Sequence, residues 1–130
     1  MSEPIWIEHE LVFAIHGRQL AEHGGAEGLR DETLLESALA RPLNHLLYTR
    51  ADIIDLAAKD TVGIVQNHPF VDGNKRTGFV VGVLFLELNG YRFTASEANA
   101  AQAVLGLAAG TIDEDSFRAF LRANVEKSKG

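Results

Sequence analysis

The stretch that most limits the fold is residues 75–89, where Phe79, Val80, Val81, Val83, Leu84, Phe85, Leu86 and Leu88 follow one another with almost no polar interruption. At about 100° per residue these side chains point all round a helix, and a helix without a polar face has to be covered on every side. It therefore belongs in the middle of a small bundle. At about fifteen residues it is too short to span a bilayer. Gly90 follows as the residue just past its C-terminus. No apolar run reaches the length of a membrane span, and Met1-Ser2-Glu3-Pro4 is acidic where a signal peptide would be basic, so a cytoplasmic protein is expected. With 46% apolar content in 130 residues, the chain suits one domain covering residues 1–130.

The flanking segments supply the other layers. Leu11, Val12, Ile15 and Leu20 recur at helical spacing and predict a first helix over residues 8–23, closed by Gly24-Gly25. His9, His16 and His23 fall seven residues apart on it, roughly 10.5 Å per step, too far for two of them to share one ion. They read as a polar edge. Asp31 is a good N-cap for a second helix that runs through Ala40 and is ended by Pro42. The link 41–50, with Leu43, Leu46, Leu47 and Tyr48, has little regular pattern. Ile53, Ile54, Ala57, Ile64 and Val65 put one apolar face on a third helix over residues 52–67. Thr94-Ala95-Ser96-Glu97 and Thr111-Ile112-Asp113-Glu114 have the form of capping boxes, opening a fifth helix to Ala109 and a sixth through about Val125. Tyr91-Arg92-Phe93 suits a short extended piece, and the charged tail 126–130 is expected to fray. The expected fold class is all-α, a compact bundle of about six helices around the buried central one.

The chemistry is concentrated where the third helix hands over to the fourth, in His68-Pro69-Phe70-Val71-Asp72-Gly73-Asn74-Lys75-Arg76-Thr77-Gly78. Pro69 disfavours the helical region for His68 and leaves that imidazole on a loop. The loop runs into a helix N-terminus, whose free amides and positive dipole end favour an anion. Gly73 has no Cβ to keep a bulky anion from the backbone. Lys75 and Arg76 face the wrong end of the dipole, a penalty of roughly 0.3–1 kcal/mol each that a bound phosphate would reverse. Asp72 offers the hard oxygen that Mg²⁺ uses when it arrives with nucleotide phosphates. His68 can take a proton from a hydroxyl at neutral pH. Base, metal ligand, phosphate cradle and cations are the parts of phosphoryl or nucleotidyl transfer. The pattern is neither the common phosphate loop nor the dinucleotide fingerprint.

These residues resemble the signature of the Fic/Doc superfamily, H-x-F-x-[D/E]-[G/A]-N-[G/K]-R, at every specified position: His68, Phe70, Asp72, Gly73, Asn74, Lys75 and Arg76. Members that transfer AMP usually have glycine where this chain has Lys75 and a second arginine where it has Phe79. Lysine without that arginine is similar to the death-on-curing (Doc) toxin branch. Gly24-Gly25, Gly28-Leu29-Arg30-Asp31 and Leu34-Leu35-Glu36-Ser37-Ala38 also look like that branch. The resemblance implies a type II toxin that moves the γ-phosphoryl group of ATP, with Mg²⁺, to a Ser or Thr hydroxyl of a translation factor, elongation factor Tu, arresting translation. It assigns catalysis to His68, Lys75 and Arg76, phosphate contacts to Gly73, Asn74, Lys75 and Arg76, and the metal to Asp72, with Phe70 as packing support. It places a target-positioning flap in the link 41–50, which on the residues alone is as well read as a packed connector. It also implies restraint by a separate prevent-host-death antitoxin. The built-in inhibitory pattern [S/T]-x-x-x-E-[G/N] of many relatives is not found here.

Two other functions stay open at this point, AMP transfer on the same fold and an idle helical module that only binds a partner. A net charge of −6 with scattered basic residues argues against direct nucleic-acid binding and suits a partner with a basic segment. The absence of cysteine excludes disulfides and thiolate metal sites.

Overall fold

Capping side chains decide where most of the helices begin. The computed structural model describes residues 3–128. Its elements are α1 (His9–His23), α2 (Glu32–Tyr48), α3 (Ile53–Asn67), α4 (Asn74–Leu88), β1 (Tyr91–Phe93), α5 (Glu97–Ala109), α6 (Glu114–Ala123) and β2 (Val125–Lys127). Asp31 accepts from the Thr33 and Leu34 amides, and Asp52 and Asp55 form a reciprocal capping box at the start of α3. The caps of α5 and α6 are Ser96 and Asp113, each two residues later than the expected Thr94 and Thr111. Both threonines are engaged elsewhere. The Thr94 amide donates to Asn124 O at 2.7 Å, and Thr111 gives both its amide and its hydroxyl to Gly106 O, so it closes α5.

Pro42 does not end α2, which continues to Tyr48 with the proline buried inside it. An internal proline costs a helix about 3 kcal/mol through its missing N–H. Leu35, Ala38, Leu39 and Pro42 bury one face in return, and full burial of a leucine alone stabilises by about 1.5–3 kcal/mol. The segment 41–50 is thus largely regular helix, with Leu47 and Tyr48 exposed at its end.

The six helices described enclose one hydrophobic cluster, to which α3 gives Leu56, Ala57, Val62 and Ile64, and α4 gives Val81, Phe85 and Leu86. The middle is shared by these two helices. α3 is buried nearly all round, whereas Phe79, Val80, Val83 and Leu84 of α4 are only half covered. Small residues make the close approach: the Thr61 hydroxyl donates to Gly78 O at 2.8 Å, and a Cβ on Gly78 would lie 3.0 Å from Val65 Cγ2. A Cβ on Gly82 would collide with the Thr61 hydroxyl. Asn89 ties the N-terminal segment to the end of α4, its side-chain amide donating to Ile5 O and accepting from Ile5 N–H.

α6 stops at Ala123, short of the expected Val125, and the chain then forms β2, antiparallel to β1 with Phe93 opposite Val125. Of the tail expected to fray, Glu126 and Lys127 are paired in the strand, the Ser128 amide donates to Gly90 O, and Arg92 and Glu126 form an ion pair; residues 129–130 lie outside the described part. Three residues per strand are too few to show an alternating pattern in sequence.

Candidate active site

α3 ends at Asn67 because His68 turns left-handed, at φ 57° and ψ 51°, with Pro69 behind it. That conformation is uncommon for a residue with a Cβ, and neighbouring groups hold it. Arg30 donates from Nε to His68 O at 2.8 Å and from Nη2 to Asn67 O at 3.0 Å, capping the last carbonyls of α3 with a cation. The Arg30 and Asp31 amides both donate to Pro69 O, and the Val71 amide donates to Gly28 O. The loop between α1 and α2 is thereby stitched along the loop 68–73. The His68 side chain is exposed.

Phe70 anchors the same loop from inside. It is 1% exposed, meets Phe13 edge-on, and stacks on the His16 ring at 3.8 Å between centroids and 10° between planes. His16 Nε2 lies 2.8 Å from Asp72 O. His16 is buried and does not belong to a polar edge; His23, by contrast, is exposed beside Glu22. Asn74 is buried too, and its side chain accepts from Phe70 N–H and donates to Phe70 O, both at 2.9 Å. Its amide group thus closes the loop, and any phosphate contact at this position falls to the backbone N–H.

Asp72 is exposed, and its carboxylate accepts from the Gly73 amide at 2.8 Å and the Ala26 amide at 3.2 Å. Those two bonds, with smaller help from the Arg76 and Lys75 charges, hold its carboxyl below the usual carboxylate range. Gly73 is left-handed at φ 80° and precedes α4, and among the described residues no side chain caps that helix. Lys75 and Arg76 are exposed in its first turn. A Cβ on Gly73 would make only ordinary contact, 3.4 Å from Leu20 Cδ2 and 3.5 Å from His16 Cδ2, so the left-handed backbone rather than lack of room favours glycine here. A cleft of about 290 Å³ opens alongside, lined by His16, Leu20, Gly25, Glu27 and Gly28 among others.

The match of the family model, Fic/DOC family, covers residues 6–86, from the start of α1 almost to the end of α4. A protein named Protein kinase doc, from Escherichia phage P1, is 30% identical over 118 residues, which is 89% of this chain and 92% of that one. The chain belongs to the Fic/DOC family. A second relative, Toxin Doc from Mycolicibacterium smegmatis, is 38% identical over 74 residues, 55% of this chain and 57% of that protein. Both names place the chain on the death-on-curing branch of the Fic/DOC family.

Arg30, His16 and the Gly25-Ala26 turn were not singled out as site residues from sequence. Arg30 had a signal, since a cation in a Gly-rich connector can cap a neighbouring helix. Nothing in sequence separates His16 from His9 and His23. Among the described residues no three His, Asp or Glu side chains gather as a metal cluster, and no helix is long and apolar enough to cross a membrane.

Proposed function

We propose that this chain is the toxin of a toxin–antitoxin pair and transfers the γ-phosphoryl group of ATP to a Ser or Thr hydroxyl of a protein. The observation that carries this reading is the start of α4, a helix without a capping side chain, entered from a left-handed glycine and bearing two exposed cations in its first turn. A bound phosphate satisfies the amides and removes the unfavourable meeting of cations and dipole in one step. The name of the phage relative supports a kinase over AMP transfer, as do Lys75 and Phe79.

In this reading His68 takes the proton of the incoming hydroxyl as its oxygen attacks the γ-phosphorus, and the bond to the β–γ bridging oxygen breaks to release ADP. Lys75 and Arg76 offset the charge that moves onto the leaving group. Gly73 and the amides of Asn74 and Lys75 cradle phosphate oxygens. The fit to Mg²⁺ is that of a nucleotide site: one exposed carboxylate, Asp72, already held ionised and flanked by amides. Asp72 would hold the ion, which would supply positive charge to offset that of the phosphates. The proposed target is elongation factor Tu, the result arrested translation, and the restraint an antitoxin of prevent-host-death type acting in trans in the cytoplasm.

ATP labelled at the α or the γ phosphate, incubated with the chain and elongation factor Tu, tests the reaction. Label from the γ position alone is expected on the target. Label from the α position would establish AMP transfer instead, and none from either would remove the enzyme reading for this target.

A further inference from the structure

We infer that His16 is a positioning residue that sets the geometry of Asp72 by donating from Nε2–H to the Asp72 carbonyl. This rests on the proposed nucleotide site. A carbonyl oxygen only accepts, so at 2.8 Å the ring nitrogen carries the hydrogen. The ring is not free to turn. It lies 6% exposed in α1 and is stacked 3.8 Å from Phe70, a side chain that is itself buried. Asp72 is therefore gripped from both ends. Its carbonyl is fixed by His16, and its carboxylate is fixed by the amides of Ala26 and Gly73. A Cβ on Gly25 would lie 2.8 Å from Asp72 Oδ2, so the glycine turn after α1 fits closely round that oxygen.

Asp72 sits on an exposed loop, where an unheld carboxylate would sample many orientations. A cation that meets a single carboxylate loses affinity when that carboxylate must first be ordered, and partners of this kind typically change affinity by roughly 10–100-fold when removed. The stack and the hydrogen bond are separable. His16→Phe keeps an aromatic ring on Phe70 and has no donor, whereas His16→Gln places an amide N–H near the Nε2 position and gives up the ring.

The experiment is a calorimetric titration of Mg²⁺ into the chain with the non-hydrolysable analogue AMP-PNP, with thermal melting of each variant alongside. Expected are a melting point for His16→Phe close to that of the parent, a loss of Mg²⁺ affinity of roughly 10–100-fold, and recovery of most of that affinity in His16→Gln. Parent-like affinity in His16→Phe, or affinity in His16→Gln as low as in His16→Phe, would overturn the assignment. Should His16→Phe fail to fold, the Gln variant and ¹⁵N spectra of the parent imidazole decide. A hydrogen on Nε2 is expected there, and a ring protonated at Nδ1 alone overturns it. A parent chain that binds no Mg²⁺ with the analogue would instead refute the nucleotide site, which is a different failure.

Discussion

His68 carries two demands that pull against each other. Its imidazole is the proposed base, yet its backbone is left-handed, the one such non-glycine residue among those described. Glycine would take that backbone without the Cβ clash, which costs an ordinary residue about 1–2 kcal/mol. Glycine also costs about 0.5–1 kcal/mol in chain entropy, so His68→Gly is expected to raise the unfolding free energy by up to about 1 kcal/mol net, read from urea midpoints, while phosphoryl transfer falls by roughly 10²–10⁴-fold. A destabilised variant would refute the strain argument, and one with parent activity would remove His68 from the reaction. The titratable and charged side chains of this loop were legible in sequence because they stand together in one short motif. Their supports were not, because Arg30 and His16 lie on other elements and reach the loop only through the fold.

Helices α3 and α2 show where pattern reading stops. The spacing in α3 predicts a helix with one apolar face, yet Ala57, Ala58 and Gly63 let neighbours close over it on other sides. Asp60 is caught inside, 3% exposed, with Oδ2 unpartnered, and burial pushes its carboxyl well above the usual carboxylate range. Below the unfolded pKa of about 3.9 both states hold the proton and the cost is absent. As pH rises, the unfolded chain releases it first, so this residue's contribution to stability declines up to the folded pKa. Asp60→Asn removes the decline. The gain in stability of the variant over the parent, measured by urea unfolding at pH 4 and pH 8, is expected to be larger at pH 8, with about 4 °C of melting temperature for each kcal/mol gained. A gain equal at both values would show that Asp60 ionises freely in the folded chain. In α2, the proline rule was outweighed by burial against α3, a term that a local reading of residues 41–50 does not contain.

At the scale of the molecule, the hairpin of α3 and α4 carries the proposed site at its turn and the core along its length. Thr61, Gly78 and Gly82 lock the two helices at close range, and the α1–α2 loop grips the turn from outside. The all-helical class and the turn that carries the motif were legible, because an apolar helix and a short motif are both local in sequence. The β1–β2 pair was half seen, since it joins segments more than thirty residues apart. The chain is acidic overall at −6, so the proposed attraction for a nucleotide has to come from one local arrangement at the tip of α4. That claim is tested most directly by backbone amide NMR of the parent chain as Mg²⁺ and AMP-PNP are added. The largest shifts are expected at Asp72, Gly73, Asn74, Lys75 and Arg76, whereas shifts centred on another part of the bundle, with these amides unmoved, would contradict it.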